Sequence, residues 1–182
     1  MANKGKLNPV FYRRAKRASA SAPHCKCLPV ERIVSGGQTG VDRAALDFAI
    51  RHGIPHGGWC PNGRAAEDGV IEPGYELKET PDAAYSQRTE WNVRDSDGTA
   101  IFTISRELKG GSASTRKFAA EYGKPCLHVS KLKDGNAAVV KLRSFLQRHK
   151  IKTLNIAGPR LSTEPAACAF ASQVLEALWF SL

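Results

Sequence analysis

The chain has 182 residues, a length typical of one compact domain. Hydrophobic residues make up 42% of it and charged residues 24%, which is enough apolar material for a core and excludes a chain that is disordered throughout. No run of about 18 apolar residues occurs, so the sequence predicts no membrane-spanning helix.

The formal net charge of +10 is concentrated at the N-terminal end. Residues 1–28 contain seven lysines and arginines and no acidic residue, so the other 154 residues carry a charge of only +3. We therefore predict a basic, flexible tail over residues 1–28 and one domain over residues 29–182. The tail places two aromatic residues beside Arg13 and Arg14, a pattern compatible with a nucleic-acid-binding arm. Its composition, rich in Arg, Ser and Ala and free of acidic residues, fits a transit peptide or an unstructured extension.

The five cysteines do not indicate a disulfide framework, because their number is odd and no apolar secretory signal precedes them. His24, Cys25 and Cys27 lie close together, but no second ligand pair follows at the spacing of a zinc site. No HExxH motif occurs either. The sequence therefore predicts a cytoplasmic protein with reduced thiols and without a metal site.

Beyond residue 28, short apolar runs alternate with amphipathic stretches. Strands that alternate with helices of roughly 10–15 residues are typical of parallel βαβ units. We predict an α/β fold with a Rossmann-like, doubly wound, mostly parallel sheet flanked by helices. In chain order, the predicted strands cover residues 32–35, 56–60, 99–104, 125–129 and 152–157, and the predicted helices cover residues 41–52, 83–97, 110–122, 136–149 and about 163 onward.

Ligands of such folds bind at the carboxyl ends of the strands, where two glycine-rich loops lie. The first glycine loop, Ser35–Gly40, opens the first helix, and the second glycine loop, Lys109–Thr115, opens the third. Glycines let the backbone approach a phosphate, and the N–H groups of a helix N-terminus attract it. A tight turn or a helix cap explains either loop alone, but two such loops on one edge favour a shared anion site.

Two further loops carry charged side chains. The third loop, Gly158–Thr163, contains Arg160, whose planar guanidinium suits phosphate or carboxylate, although a surface arginine beside a helix cap fits equally well. In the loop over residues 61–69, Arg64 is a candidate for contacting an anion, and Glu67 or Asp68 is a candidate for orienting it or for binding a ribose-like hydroxyl. An exposed loop with weak ion pairs is the other interpretation of this segment.

Charged and polar residues of two predicted helices complete the candidate site. Asp42 either complements the dipole of its helix or acts on a ligand, and Arg88 and Asn92 could reach the crevice from theirs. The predicted ligand-binding residues are Gly36, Gly37, Gln38, Thr39, Gly40, Asp42, Arg43, Arg64, Arg88, Asn92, Gly110, Gly111, Ser112, Thr115 and Arg160.

Six segments form one ordered pattern: Ser35–Asp47, Gly63–Gly69, Arg88–Val93, Asp95–Thr99, Gly110–Ser112 with Thr115, and Asn155–Arg160. In this combination they resemble the putative molybdenum carrier family, the circularly permuted YpsA branch of the SLOG superfamily, which has lysine-decarboxylase-like relatives. The resemblance spans about residues 30–180. It implies a SLOG-like sheet that binds a phosphate-bearing or nucleotide-like small molecule. In that family the proposed ligand is the molybdenum cofactor (molybdopterin), a pterin with one phosphate and a dithiolene-bound oxo-metal.

The leading hypothesis is therefore a binding or carrier protein for the molybdenum cofactor, or else for another phosphorylated nucleotide-like ligand or oxyanion. Backbone N–H groups of the two glycine loops would hold the phosphate, and Arg64 and Arg160 would add positive charge. A third and separate hypothesis is nucleic-acid binding through the basic tail.

The second hypothesis is an enzyme that cleaves an N-glycosidic bond, because relatives in the wider superfamily include phosphoribohydrolases. Asp42 and Glu67 are then the acid/base candidates. The glycine-rich motif and catalytic glutamate of those enzymes are not matched, which favours a binding protein over an enzyme. The apolar C-terminal end, residues 174–182, predicts either core packing or the interface of a homo-oligomer.

Overall fold

The computed structural model describes residues 28–180. Apart from Leu28, which packs in the core at 9% exposure, the predicted basic tail lies outside the described residues. The strands are β1 Arg32–Val34, β2 His56–Gly57, β3 Trp59–Cys60, β4 Ala65–Ala66, β5 Gly69–Val70, β6 Lys78–Glu79, β7 Gly98–Thr103, β8 Cys126–Ser130 and β9 Thr153–Ala157; the helices are α1 Val41–Arg51, α2 Tyr85–Arg94, α3 Gly110–Glu121, α4 Lys131–Asp134, α5 Ala138–His149 and α6 Pro165–Phe180.

Five of the strands form a parallel sheet in the order β2-β1-β9-β7-β8, which confirms the predicted α/β class. The chain moves outward from β1 to β2 through α1, and outward in the opposite direction from β7 to β8 through α3. β9 then returns to the centre and lies between β1 and β7. The two halves of the sheet therefore diverge at its centre, which is where doubly wound folds open a crevice.

The main core lies on one face of the sheet, beneath α1, α5 and α6. Alternate residues of the central strands, such as Ile33, Phe102 and Leu154, point into it, as the two-residue period of a strand requires. The apolar C-terminal end of the chain also packs here, because Leu175 and Leu178 are fully buried. Phe180 is 49% exposed, so the predicted homo-oligomer interface stays a prediction.

The opposite face of the sheet is more polar. The Ser35 hydroxyl donates to the Ile156 carbonyl oxygen at 2.6 Å, and the Asn155 amide donates to the Thr99 hydroxyl at 3.1 Å. Because these buried polar groups are paired with each other, they do not incur the cost of unpaired burial. The pairs join β1, β9 and β7 side by side, directly beneath the loops that follow these strands.

The segment predicted as one strand over residues 56–60 is two strands in different sheets. Gly58 separates them with a φ of +125°, a conformation that side chains rarely adopt. A Cβ there would also overlap the Ser35 carbonyl oxygen. After this break, β3 pairs with β6, and β4 and β5 form a small hairpin within the predicted loop.

None of the helices described between residues 28 and 180 is long and apolar enough to cross a membrane.

Candidate functional site

A cleft of about 430 Å³ opens at the carboxyl ends of β1, β7 and β9. This volume is within the range of small-molecule sites, roughly 300–1,000 Å³. All three predicted loops contribute to the cleft, as the topology of the sheet requires. Its lining residues are Gln38, Arg88, Lys109, Gly110, Gly111, Ser112, Gly158, Pro159, Arg160, Ser162 and Thr163.

The N-terminus of α3 forms one wall of the cleft and is uncapped. Its N-cap residue, Lys109, makes no side-chain hydrogen bond to the helix. The amides of Gly110, Gly111 and Ser112 have no acceptor among the described residues, and the first paired amide is that of Ala113, which donates to the Lys109 carbonyl oxygen. Free N–H groups and the positive end of the helix dipole therefore face the cleft together.

Gln38 faces the cleft with its orientation fixed by two backbone amides. Its Oε1 accepts from the amides of Thr39 at 3.0 Å and Glu67 at 2.9 Å. The Nε2 group at the other end of the carboxamide is buried and has no partner in the described protein. The residue is only 5% exposed. A buried donor without an acceptor is costly, and a ligand that supplies the acceptor removes that cost.

Arg88 reaches the cleft from α2 and is held by Asp42 of α1. Its Nη1 lies 3.1 Å from Asp42 Oδ2, and the two side chains are 14% and 4% exposed. Burial raises the pKa of the Asp42 carboxyl, whereas Arg88 and the backbone amides of Gln38 and Gly36 act in the opposite direction. The Arg88 Nε is a second buried donor without a partner among the described residues.

Arg160 is exposed at the mouth of the cleft. Its guanidinium carbon lies 5.8 Å from the centre of the Tyr85 ring, within the range of a cation–π contact. Arg160 and Lys109 add positive charge on either side of the uncapped helix end.

Glu67 joins the hairpin formed by β4 and β5 to two of the loops. Its carboxylate accepts from the Thr39 hydroxyl, from the Ser162 hydroxyl at 2.5 Å and from the Ser162 amide at 3.2 Å. The Ser162 and Thr39 hydroxyls hold the pKa of the Glu67 carboxyl below its usual range. Beside it, Arg43 pairs with Asp68 and also donates to the Gly37 carbonyl oxygen.

The structure therefore brings six predicted site residues onto the cleft surface, and places others behind it. A Cβ on Gly36 would overlap the Arg88 guanidinium. A Cβ on Gly40 would lie 2.7 Å from the Pro159 carbonyl oxygen, so these two glycines pack against the protein. Thr115 donates its hydroxyl to the Gly111 carbonyl oxygen within α3. The six residues that line the cleft are Gln38, Arg88, Gly110, Gly111, Ser112 and Arg160.

Two predicted site residues bind protein groups away from the cleft. Arg64 donates to four backbone carbonyl oxygens between residues 71 and 77 and thereby shapes that loop. The Asn92 side chain pairs with both backbone groups of Trp59 and so fixes α2 to β3. Neither residue is among those that line the cleft.

Sequence reasoning missed Glu164. Its carboxylate accepts from the amides of Ile104 at 2.8 Å and Ser105 at 3.3 Å, and so satisfies the backbone where β7 ends. No local pattern distinguishes this glutamate, because its partners lie about 60 residues earlier in the chain. Between residues 28 and 180, no three His, Cys, Asp or Glu side chains lie together in a way that could hold a metal ion.

Comparisons with known proteins identify the family and agree with the fold. Residues 33–179 match the profile of the circularly permutated YpsA SLOG family. The chain is also similar to a crystal structure of a putative molybdenum carrier protein from Syntrophus aciditrophicus SB, with a TM-score of 0.81 and 49% sequence identity. The match covers 83% of this chain and 96% of that one. A search of curated proteins finds no match.

Proposed function

The chain belongs to the circularly permutated YpsA SLOG family, and from this premise we propose that it binds and carries a phosphorylated small molecule, the molybdenum cofactor, in the cleft. The observation that carries the proposal is the uncapped N-terminus of α3, which faces buried donors across the cleft. A phosphate supplies acceptors for all of these groups at once.

The charges around the cleft support an anionic ligand. Lys109 and Arg160 are exposed and make no ion pair in the described protein, so their charge is available to a bound group. Arg88 has Asp42 as a partner on Nη1 but retains an unpaired Nε. A guanidinium is well suited to phosphate, because its planar donors match the spacing of phosphate oxygens.

The residues present fit the phosphate-bearing end of the molybdenum cofactor. The amides of Gly110, Gly111 and Ser112 would hold the phosphate, with Gln38 donating from the opposite side. The ring system would extend towards Arg160 at the mouth, whose guanidinium carbon lies 5.8 Å from the centre of the Tyr85 ring. The dithiolene of the cofactor supplies the metal ligands, so the cargo arrives with its metal already coordinated.

Both carboxylates predicted for acid/base chemistry are engaged by the protein itself. Asp42 lies in a buried pair with Arg88, and Glu67 accepts hydrogen bonds from Thr39 and Ser162. These contacts support a binding role for the cleft over cleavage of an N-glycosidic bond.

The substitution Gly111→Asp tests the proposal. A Cβ on Gly111 meets nothing within 4 Å, so the carboxylate has room in the cleft. An acidic side chain in the first turn also complements the helix dipole, and fold stability should therefore be unchanged or higher. We expect affinity for the molybdenum cofactor, measured by fluorescence of the oxidised pterin retained after desalting, to fall about tenfold or more.

The matched control is Gly111→Asn, which has the same size without the charge. It should retain most of the affinity. If Gly111→Asp is stably folded and binds the molybdenum cofactor as tightly as the native chain, the proposal is contradicted. Mass spectrometry of ligands retained by the purified chain distinguishes a pterin from a nucleotide in the same cleft.

A further inference from the structure

The N-termini of α1 and α3 both follow glycine loops, but they differ in how many of their first amides the protein itself pairs. At α1, the Val41 amide donates to the Pro159 carbonyl oxygen at 3.4 Å, and the Arg43 amide donates to the Gln38 carbonyl oxygen at 3.2 Å. At α3, no oxygen atom of residues 28–180 accepts a hydrogen bond from the amides of Gly110, Gly111 or Ser112. The protein therefore supplies acceptors for two of the first three amides of α1, and for none of the first three amides of α3.

The Asp42 carboxylate completes the closure of the first glycine loop. Asp42 is 3% exposed, and its Oδ2 lies 2.8 Å from the position that a Cβ on Gly36 would take. This contact places a carboxylate oxygen directly against the backbone of the loop. The same oxygen receives the Arg88 Nη1 donor at 3.1 Å. A bound phosphate would need this space and these donors.

From this arrangement we infer that Asp42 fills the anion position of the first glycine loop with its own carboxylate, so that the cleft accepts a ligand with a single phosphate group and rejects a diphosphate. The inference rests on the proposed function, because it takes the α3 end as the position of that single phosphate. Asp42 is therefore a specificity-determining residue. In doubly wound folds that bind dinucleotides, by contrast, the first βα turn receives the pyrophosphate.

The volume of the Asp42 carboxyl group, which occupies the space at the first glycine loop, accounts for this selectivity better than its negative charge alone. The carboxyl group has the same volume whether or not it carries a proton, so the position stays occupied over a wide pH range. Arg88 is also held away from an incoming second phosphate by its contact with Asp42. If one phosphate of a diphosphate were bound at the N-terminus of α3, the other would have neither the Arg88 Nη1 donor nor space at the N-terminus of α1.

The test is the number of inorganic phosphate ions bound per chain, measured by equilibrium dialysis with labelled phosphate. The native chain is expected to bind one phosphate, and Asp42→Ala, which empties the position and frees Arg88, is expected to bind two. Asp42→Asn removes the same charge but keeps the volume, so it should still bind one. Circular dichroism establishes that each variant is folded.

The outcomes separate this inference from the proposed function. A folded Asp42→Ala variant that binds no additional phosphate, or an Asp42→Asn variant that binds two, overturns the inference. If the native chain binds none and Asp42→Ala binds one, Asp42 does fill an anion position, but the α3 position of the proposed function is wrong, and the selectivity for one phosphate is wrong with it. If neither binds any, both are wrong.

A measurement on the native chain keeps the inference testable if Asp42→Ala does not fold. Pyrophosphate and orthophosphate are compared at about 0.3 M salt, which suppresses long-range charge effects. Pyrophosphate should bind more weakly than orthophosphate, and binding of pyrophosphate that is as tight or tighter overturns the inference.

Discussion

The backbone amide of Glu67 donates to Gln38 Oε1 at 2.9 Å, and this contact fixes the orientation of the Gln38 carboxamide. The Thr39 amide donates to the same oxygen at 3.0 Å. Two donors from separate segments leave only the Nε2 group for a ligand, so the residue is oriented before a ligand arrives. Such preorganisation lowers the entropic cost of binding.

Substitutions of Gln38 should separate its two roles. Gln38→Glu keeps an acceptor for both amides but removes the donor and adds a negative charge. Gln38→Met removes the acceptor and leaves the buried Thr39 amide unpaired, which costs about 1–3 kcal/mol. We expect Gln38→Met to lose more fold stability in urea denaturation, and Gln38→Glu to lose more affinity for phosphate in dialysis. If one variant is worse in both measurements, this division of roles is wrong.

The contact between Gly36 and Arg88 predicts a steric effect. A Cβ on Gly36 would overlap the Arg88 guanidinium, so Gly36→Ala must displace Arg88 from Asp42. Overpacking of this kind costs roughly 1–3 kcal/mol in fold stability. Urea denaturation measures the loss, and dialysis should detect weaker phosphate binding. Gly74→Ala is the matched control because its Cβ meets nothing within 4 Å, and an equal loss in both variants would contradict the steric explanation.

Glu67 predicts a dependence of stability on pH. The Ser162 and Thr39 hydroxyls lower the pKa of its carboxyl in the folded state, so its contribution to stability is present above the usual value of 4.5 and is lost as pH falls through the folded value. Native protein should therefore be more stable than Glu67→Gln at pH 7, and the difference should shrink below pH 4.5. Urea denaturation at a series of pH values measures this difference.

The control for this prediction is Glu72→Gln, at an exposed glutamate of the neighbouring loop whose carboxylate has no hydrogen-bond partner in the described part of the chain. Its stability should follow that of the native protein at every pH. A constant difference between native protein and Glu67→Gln down to pH 3 would exclude the role assigned to the Glu67 carboxylate.

The central position of β9 predicts a large cost for Leu154→Ala. Leu154 is fully buried between β1 and β7, so its truncation should lower the free energy of unfolding by about 2–5 kcal/mol. Leu132→Ala removes the same atoms from a side chain that is 60% exposed, and a change within about 0.5 kcal/mol is expected there. Urea denaturation of both variants provides the comparison, and a similar loss in both would argue against a buried central strand.

Periodicity predicted the regular elements well because it reports burial directly. Residues 99–104 were predicted as a buried strand, and β7 is buried along its whole length. The break at Gly58 was not predicted, because the close approach of Ser35 that requires it comes from another strand. The sequence likewise contains no local signal that places β9 between β1 and β7, since strand order is decided by packing over the whole sheet.

The candidate site was predicted to the level of loops but not of individual contacts. Glycine loops and Arg160 were found because their residue types suit an anion at strand ends. The partners of Arg64 and Asn92 depend on how the segment between residues 61 and 80 folds back, which short-range patterns do not encode. The contact between the Asp42 carboxylate and Gly36 could not be predicted either, because the position of Asp42 in the first turn of α1 does not indicate which backbone its side chain meets.

The place of β9 also sets the order in which the protein can become functional during synthesis. The strands β1 and β7 leave the ribosome before β9, and they do not pair with each other because β9 lies between them. The third loop, which follows β9, completes the wall of the cleft. A nascent chain halted before Thr153 therefore has both glycine loops but lacks β9 and the third loop, so the cleft is incomplete until residues 153–163 have been synthesised.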